Sequence, residues 1–401
     1  MRFVLLIATV MLSVTGPAVG AKTVVVANTL EAALGHPKVQ VQLRNGAHVL
    51  SGPAPSSLLR RGAHPAQPSR SFPAYLDTGA SASVLTEQTL IGFGGEVDRH
   101  GVYHEFGLHG EIEMGVSLPY GVALAAPGTS AEEFRVLSDA SLFEVNRAAA
   151  DPMQELVMGP LNVIGMPFIS QLVVEITPTS HGYNSKALLQ QVANALSGGS
   201  GALGGLGTDP RVALHPGSFR PKRFDVEVPL VYRDFSRHEN PEDVAPKPDL
   251  AKNPVLERVL LRHRGRKSVG DWLLDTGAAT SFISTAQARR LGLLKAPATF
   301  ILPVSGISGQ PESAPGHRIR TIEIRGVRKT LLFKDAHVMV KDIAAKLDDG
   351  RVVILDGLLG NNLLLSSVGG LTGGLPTRSS PSPFEKITLD GPRGRLFLKM
   401  R

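Results

Sequence analysis

The sequence predicts a mostly-β protein made of two homologous lobes, and three observations carry this prediction. Apolar and polar residues alternate with a period of two in short runs such as KVQVQL, FDVEVPLVY and HRIRTIEIRGV. Glycine and proline are plentiful, with 43 and 29 residues, which suits strands joined by turns better than long helices. The third observation is an internal repeat, because Asp-Thr-Gly-Ala occurs at residues 77–80 and again at 275–278.

The features around the two Asp-Thr-Gly-Ala turns recur in the same order and at nearly the same spacing. Each turn follows an apolar run, FPAYL or DWLL, and leads into SVL or SFI. A glycine-bearing segment comes next, GLHGE at 107–111 or GISGQ at 306–310. An apolar run with a glycine follows, NVIGMPFI at 162–169 or DGLLGNNLLL at 356–365, and then QLVVEI or EKITLD. We therefore predict a duplicated domain, since chance does not preserve several features in one order.

Helices are predicted to be few and short. Thr86 and Ser284 occupy equivalent positions after the repeated turns, and Ser284 with Gln287 matches a capping box. AQARRLGL then predicts a short helix that ends at Gly292. DLAKNPVLERVLLRHRG contains an amphipathic stretch, for which we favour a strand pair over a helix that binds a partner.

Residues 1–21 have the anatomy of a secretory signal peptide. One arginine precedes the apolar stretch Phe3–Val14, a Gly-Pro pair breaks any helix, and small residues follow, which predicts cleavage after Ala21. The alternative is a membrane anchor, but this apolar stretch is shorter than the roughly 18–20 residues that span a bilayer. We therefore expect a protein exported to the periplasm or secreted, with no stable membrane insertion.

A glycine-rich tract divides the rest of the chain into two segments of similar size. We expect an N-terminal lobe over residues 22–191, a linker over 192–215 and a C-terminal lobe over 216–401. The linker contains SGGSGALGGLGTDP, the most glycine-rich stretch of the chain. The sequence leaves open whether residues 22–70 belong wholly to the first lobe or partly to an activation segment.

Composition excludes several classes of function. The chain has no cysteine, which excludes disulfides, thiol catalysis and zinc–thiolate sites. Its 12 histidines show no HExxH or comparable metal spacing, and no G-x-S-x-G sequence marks a serine nucleophile. The net charge is +7, with basic runs LRHRGRK and RGVRKT, but no aromatic residues interleave with them to stack bases. We therefore expect no metal, no cofactor and no nucleic-acid partner.

The two aspartates of the repeated turns are the candidate functional residues. A lone Asp-Thr-Gly is usually a surface turn, but here predicted buried strands lead directly into Asp77 and Asp275. An acid at the tip of a loop between buried strands is costly unless it is hydrogen-bonded or functional. The residues after each Asp allow close backbone approach or offer hydroxyls to the opposite loop: Thr78, Gly79, Thr276 and Gly277.

The two turns and the VIG and LLG segments that follow them resemble the aspartic proteases of the pepsin/retropepsin clan. In that family each lobe supplies one Asp, the two turns meet at the floor of a cleft, and a hydrophobic-Gly segment braces each turn. The resemblance implies a bilobal acid-protease fold with two closed, barrel-like β-lobes, a few short helices and a central cleft. Alanine after Asp-Thr-Gly is closer to retropepsins and their bacterial relatives. Because two copies are fused in one chain, we expect a monomer.

The resemblance also assigns roles to single residues. It implies that Asp77 and Asp275 are the catalytic pair, which shares one proton and activates a water; aspartic proteases are the type example of such sharing. Supporting roles fall to the turn residues and to the glycines of VIG and LLG, Gly165 and Gly360. Two glycine-tipped flaps would contact the substrate through six residues: Gly107, His109, Gly110, Gly306, Ser308 and Gly309. The tyrosine of pepsin-like flaps is absent from the tip, and His109 there either tunes the pH profile or is simply solvated.

The function expected from the sequence is that of an aspartic endopeptidase acting on extended polypeptides. Apolar side chains should be favoured beside the cleaved bond, because a chain rich in Val, Leu and Ile must build the enclosing pockets. One alternative is a non-catalytic module that binds peptides or proteins on the same fold. A second is a structural cell-envelope protein with two β-domains, which predicts Asp-Thr-Gly loops that are exposed and far apart.

Overall fold

The protein is represented by a computed structural model. It describes residues 22–33, 35–52, 69–107, 110–130, 133–148, 160–179, 209–235, 240–306, 311–346, 351–370 and 377–401. The predicted signal peptide and residues 192–208 of the predicted linker lie outside these ranges.

Strands dominate the described residues, as predicted. In the first half of the chain they are β1 (Lys22–Val26), β2 (Ala32–Ala33), β3 (Lys38–Asn45), β4 (His48–Val49), β5 (Phe72–Leu76), β6 (Val84–Thr86), β7 (Val97–Gly107), β8 (Gly110–Ser117), β9 (Tyr120–Ala125), β10 (Arg135–Ser141), β11 (Glu144–Asn146), β12 (Val163–Ile164), β13 (Leu172–Thr177) and β14 (Arg211–Pro216). In the second half they are β15 (Val226–Pro229), β16 (Val231–Arg233), β17 (Asn253–His263), β18 (Arg266–Leu274), β19 (Phe282–Ile283), β20 (Phe300–Ser305), β21 (Pro311–Arg325), β22 (Lys329–Val340), β23 (Ala344–Lys346), β24 (Val352–Ile354), β25 (Gly357–Leu359), β26 (Ser367–Gly369), β27 (Arg378–Ser380), β28 (Phe384–Asp390) and β29 (Arg395–Met400). The helices are short: α1 (Glu87–Gly92), α2 (Met166–Ile169), α3 (Thr285–Leu291) and α4 (Asn361–Leu364), with 3-10 turns at Leu293–Lys295 and Gly391–Arg393.

Thr86 and Ser284, which occupy equivalent positions in the repeat, are the N-caps of α1 and α3; the sequence predicts a helix only after Ser284. Thr86 Oγ1 and Ser284 Oγ each accept the backbone N–H of the third residue after them, both at 3.2 Å. Gly292 ends α3 in the left-handed conformation, with φ 77°. The predicted capping box is wrong in one half, because the buried Gln287 side chain donates to Val269 O at 3.1 Å and not back to the cap.

The sheets of the two lobes follow the same path. The first-lobe order contains β3-β5-β12-β6-β11, and the second-lobe order contains β17-β18-β25-β19-β22. In both lobes the short strand of the VIG or LLG segment is parallel to the strand before the repeated turn and antiparallel to the strand after it. Pairing of β21 with both β17 and β22 closes the second sheet on itself. The predicted fold class, two homologous barrel-like lobes, is confirmed.

A further sheet joins the lobes in the order β14-β13-β28-β29-β15. Its central pair consists of the repeated QLVVEI and EKITLD segments, which run antiparallel with Val173 opposite Asp390 and Ile176 opposite Ile387. Residues 211–215, which the sequence analysis placed in the linker, lie in β14 and pair with β13 along its length. The final residues of the predicted linker are therefore part of the sheet that joins the lobes.

The first described strands belong to the second lobe, although the predicted boundary assigns them to the first. Strand β1 is parallel to β22, from Lys22 opposite Lys329 to Val26 opposite Phe333. Strand β2 pairs with β26 in the same half of the molecule. The chain enters the first-lobe sheet only at β3. The alternating pattern predicts a strand here but carries no information about which sheet it joins.

Apolar side chains fill both lobes, and a separate cluster lies on the cleft side of the second lobe. This second-lobe apolar pocket consists of Leu273, Phe282, Leu302, Val304, Ala314, Met339 and Leu358. The main hydrophobic core, which extends through both lobes, contains Val26 of β1. Val26 is 1% exposed, whereas Val25 on the same strand is 46% exposed.

The docking of β1 on the second lobe predicts a sharp contrast between these neighbouring valines. Val26→Ala should lower the free energy of unfolding by about 2 kcal/mol, because it removes buried methyl groups and leaves a cavity. Val25→Ala, the control, should change it by less than about 0.5 kcal/mol. Denaturant unfolding of the chain beginning at residue 22 measures both; equal effects would contradict this position of β1.

Candidate active site

Asp77 and Asp275 face each other at the floor of the cleft between the lobes. Their carboxyl groups are hydrogen-bonded to one another, and both residues are half-buried. The loops come so close that a methyl group on Gly79 would lie 2.6 Å from Asp275 Cγ. One on Gly277 would lie 2.3 Å from Asp77 Cγ. Only glycine therefore fits at the third position of each turn.

Backbone amides orient both carboxyl groups within their own turns. Gly79 N donates to Asp77 Oδ1 at 2.7 Å, and Gly277 N donates to Asp275 Oδ1 at 2.8 Å. Ala278 N gives Asp275 Oδ1 a second bond, at 2.9 Å. Each carboxyl thus has one oxygen fixed by its turn, which leaves the other directed toward its partner and the cleft.

The threonines of the two turns bond across the lobe boundary with two-fold symmetry. Thr78 N donates to Thr276 Oγ1 and Thr276 N donates to Thr78 Oγ1, both at 3.1 Å. Thr78 Oγ1 donates to Leu274 O at 2.6 Å, and Thr276 Oγ1 donates to Leu76 O at 2.7 Å. Both threonines are buried. The hydroxyls that the sequence analysis singled out therefore fasten each loop to the other lobe.

Gly165 and Gly360 lie under the two turns, as the resemblance implies. The backbone N–H of each Asp donates at 3.0 Å to the residue just before the glycine, Ile164 for Asp77 and Leu359 for Asp275. A Cβ on Gly165 would lie 1.9 Å from a carbonyl oxygen of the turn above it, and one on Gly360 would lie 2.3 Å from the equivalent oxygen. A side chain at either position would therefore displace the segment that follows the Asp.

Asn253 and His36 support the turns from the opposite lobe, and the sequence analysis missed both. Asn253 Nδ2 donates to Thr78 O at 3.2 Å and to Gly79 O at 3.0 Å. The His36 side chain hydrogen-bonds to the backbone of Thr276. The two residues are equivalent, since each lies two residues before the first pair that β3 makes with β5 or β17 makes with β18. Their signal in the sequence is the shared proline that follows them, in GHPKV and KNPVL.

Asn361 completes the support of the second turn. Its Nδ2 donates to Thr276 O at 2.7 Å and lies 3.3 Å from His36 Nδ1. Burial lowers the pKa of His36 to about 4, so its imidazole is neutral at physiological pH. A neutral ring adds no positive charge to the floor of the cleft. His36 therefore acts here as a structural hydrogen-bonding group.

Burial raises the pKa of both carboxyl groups of the dyad. The pKa of Asp275 rises well above its ordinary value, first through desolvation and then through the charge of Asp77. Desolvation also raises the pKa of Asp77, against hydrogen bonds from Asp275 and backbone amides that lower it. The pair consequently keeps one proton at pH values where an exposed aspartate has lost its own.

The dyad opens into a cavity of about 410 Å³ that residues of both lobes line. Over the first lobe, β7 and β8 form the predicted flap hairpin, with Gly107 opposite Gly110 and φ 101° at Gly110. Over the second lobe, β20 and β21 form the equivalent hairpin. Gly306 lines the cavity, whereas Gly110 lies outside its lining. The other predicted flap residues, His109, Ser308 and Gly309, lie outside the described residues.

The structural cell-envelope hypothesis disagrees with this geometry, because the two loops are buried against each other and bonded together.

Within the described ranges, no three His, Asp or Glu side chains are grouped to hold a metal ion. No helix in the same ranges combines the length and hydropathy needed to cross a membrane.

Part of the second lobe matches the model of a known protein family. Residues 261–363, which contain the second repeated turn, match the family described as aspartyl protease. Solved structures that match include the aspartic proteinase from Irpex lacteus, with 9% identity, a TM-score of 0.41, and coverage of 91% of this chain and 96% of that chain. A retropepsin-like aspartic protease from Rickettsia conorii matches with 21% identity and a TM-score of 0.19, over 36% of this chain and 90% of that chain. No curated protein matches.

The reciprocal threonine bonds predict strong energetic coupling between the lobes. Thr78→Val and Thr276→Val should each lower the free energy of unfolding by about 3 kcal/mol, because each leaves a buried N–H and a buried carbonyl unpaired. The double variant should lower the free energy of unfolding by less than the sum of the two single changes, with a difference of at least about 1 kcal/mol, since each threonine bonds to the other. Denaturant unfolding measures the cycle. Thr78→Ser keeps the hydroxyl and is the control; strict additivity would argue against the reciprocal arrangement.

The raised pKa of Asp275 predicts how stability depends on pH. A carboxyl whose pKa is higher in the folded than in the unfolded state contributes stability below its unfolded pKa and loses it as pH rises through the folded pKa. Asp275→Asn removes this loss, so its stability relative to the wild type should increase as pH rises above the ordinary aspartate pKa of 3.8. Unfolding curves across that range test it. Asp335→Asn, at an exposed ion pair, is the control with little pH-dependent difference expected.

Proposed function

We propose that this chain, whose second lobe matches the aspartyl protease family, is an aspartic endopeptidase that hydrolyses peptide bonds with Asp77 and Asp275. One observation carries the proposal: two hydrogen-bonded carboxyl groups, brought from distant parts of the chain, lie at the floor of a cavity between the lobes. Such a pair serves as acid and base at once, because it holds one proton and one negative charge.

In the first chemical step, the ionised carboxylate takes a proton from a water molecule as the water oxygen attacks the scissile carbonyl carbon. The protonated carboxyl gives its proton to the carbonyl oxygen, so the product is a neutral tetrahedral diol. The pair has gained one proton and lost one, and its net charge is unchanged. The backbone bonds of Gly79 and Gly277 hold both carboxyls in place during this exchange.

In the second step, the pair returns the proton it gained to the amide nitrogen and accepts a proton from one hydroxyl of the diol. The C–N bond then breaks, which releases an amine and a carboxylic acid and restores the singly protonated pair. A polypeptide in an extended conformation suits this cleft, because the flap hairpin β7–β8 presents strand edges above the dyad. Both carboxyls come from one chain, so the proposed active form is a monomer.

We further infer that the protein acts outside the cytoplasm. The support is the signal-peptide pattern of residues 1–21, with cleavage after Ala21. Mass spectrometry of the N-terminus of the exported chain tests this inference. A chain that retains residues 1–21 in the membrane fraction would instead support the membrane-anchor alternative.

Replacement of either dyad aspartate should abolish peptide cleavage while the fold remains. Asp77→Asn and Asp275→Asn should each reduce kcat by roughly 10³-fold or more, because neither variant can hold acid and base together. Cleavage of a denatured protein and of a peptide library, followed by mass spectrometry, measures the loss. Asp335→Asn is the matched control, since its exposed side chain lies in an ion pair with Arg318. Its left-handed backbone, φ 53°, also tolerates asparagine.

The same experiment separates the endopeptidase from the non-catalytic binding module. An active Asp77→Asn or Asp275→Asn variant would contradict the assignment of the dyad. Wild-type protein that binds peptides but leaves them intact between about pH 3 and about pH 8 would favour the binding module. For the endopeptidase we expect a bell-shaped profile of kcat/KM whose alkaline limb lies above the ordinary aspartate pKa of 3.8, because the last proton of the pair is held more tightly.

A further inference from the structure

The cavity has two equivalent walls, one from each lobe, and their chemistry differs. Seven positions of the first lobe correspond to the seven residues of the second-lobe apolar pocket. Ladder pairs fix the correspondence, because Val163 lies opposite Tyr75 and Val84 just as Leu358 lies opposite Leu273 and Phe282. The matched pairs, first lobe before second, are Tyr75 and Leu273, Val84 and Phe282, Tyr103 and Leu302, Glu105 and Val304, Met114 and Ala314, Glu144 and Met339, and Val163 and Leu358.

At two of these positions the second lobe has an apolar residue and the first lobe has a glutamate. Glu144 lies opposite Val84 in the first lobe, where Met339 lies opposite Phe282 in the second. Glu105 stands two residues before the flap glycine Gly107, where Val304 stands two residues before Gly306. Both glutamates line the cavity. We call them, with the cavity-lining Tyr75, Val84 and Val163, the first-lobe acidic pocket.

Glu144 is the central group of the first-lobe acidic pocket. It is 1% exposed, lines the cavity and is hydrogen-bonded to Glu105. Its Oε1 atom is buried and has no hydrogen-bond partner among the described residues. A buried carboxyl oxygen without a partner costs free energy, so the pocket is incomplete as it stands. A donor that enters from the cavity would complete it.

The groups around Glu105 and Glu144 indicate which kind of hydrogen-bond donor the first-lobe acidic pocket would bind. Burial, and then the charges of Glu105 and Glu144, raise the pKa of Tyr103, so Tyr103 lies near both glutamates. Burial and then the charge of Glu105 raise the pKa of Glu144, so the two carboxyls hold a shared proton and about one negative charge. One cationic side chain matches one negative charge, and its ammonium or guanidinium N–H groups match the unpaired oxygen.

We propose that the first-lobe acidic pocket binds a lysine or arginine side chain of the substrate, while the second-lobe apolar pocket binds an apolar side chain across the scissile bond. The inference rests on the proposed endopeptidase function and adds its specificity. It changes the sequence-based expectation that apolar side chains are favoured beside the cleaved bond. The protein would cleave between one basic and one apolar residue.

Two peptides that differ by one ammonium group test the pocket. A peptide library first identifies the subsite, and matched peptides then carry lysine or norleucine at that position, because norleucine keeps the aliphatic stem without the charge. The wild-type protein should show a kcat/KM for the lysine peptide that is roughly 10- to 100-fold higher, the effect of a charge-assisted hydrogen bond in a buried site.

The Glu105→Gln/Glu144→Gln double variant should lose this preference. Both changes are nearly isosteric, so circular dichroism and thermal unfolding should show an intact fold. Glu144→Met with Glu105→Val copies the second lobe and should favour norleucine. Glu87→Gln is the control, because Glu87 lies outside the cavity lining, is half-buried, and pairs with Arg147 at 3.8 Å.

Each outcome decides the inference. A lysine preference that disappears in the double glutamine variant and persists in Glu87→Gln supports it. Equal wild-type rates on both peptides, or a preference that survives the double glutamine change, overturn it while the endopeptidase proposal stands. If the wild-type protein cleaves no peptide, the endopeptidase proposal fails. Titration calorimetry with the uncleaved peptides then tests whether the first-lobe acidic pocket binds a basic side chain. Equal Kd values for the lysine and norleucine peptides would overturn that inference.

Discussion

The reciprocal bonds of Thr78 and Thr276 are the constraint on which the rest of the site depends. Two carboxyl groups in contact lose hydration and repel when both are ionised, so they stay together only if other interactions fix their loops. Each threonine donates to the opposite lobe and accepts from it. Movement of one lobe would therefore break all of these bonds at once and leave buried backbone groups unpaired. The stability of this junction offsets the cost of the acidic pair.

The path of the chain strengthens this junction, because each lobe is entered through a residue that supports the other lobe's turn. His36 contacts the second turn just before β3 begins the first-lobe sheet, and Asn253 contacts the first turn where β17 begins the second. Strand β1 pairs with the second lobe before the first lobe starts, and β13 pairs with β28 between the lobes. Because these strand pairs connect the lobes, the lobes can separate only if the strands unpair. The geometry of the dyad is therefore preserved whenever the sheets are folded.

The sequence predicts those parts of the fold and site that repeat. Asp77 and Asp275, their neighbouring threonines and glycines, and Gly165 and Gly360 all appear twice in one order, and duplication makes such signals visible without a relative. Features that depend on which strand pairs with which are not visible in this way. TVVV at the start of β1 has the pattern of any strand, and GHPKV and KNPVL share only a proline. The pairing of Gln287 with Val269 likewise arises from tertiary packing that a local capping pattern does not describe.

The floor of the cleft is nearly symmetric, so the orientation in which a peptide binds must depend on the walls of the cavity. The turns, their cross-lobe bonds and the supporting glycines are nearly the same in both lobes, so the dyad alone offers a peptide two equivalent orientations. A peptide is directional, and productive binding in one orientation requires walls that differ. The duplicated positions Glu105 and Val304 both line the cavity, and one places a carboxyl where the other places an apolar side chain. Under the proposed function, the difference between the walls, over a floor that is nearly the same in both lobes, is what would give a bound peptide one orientation.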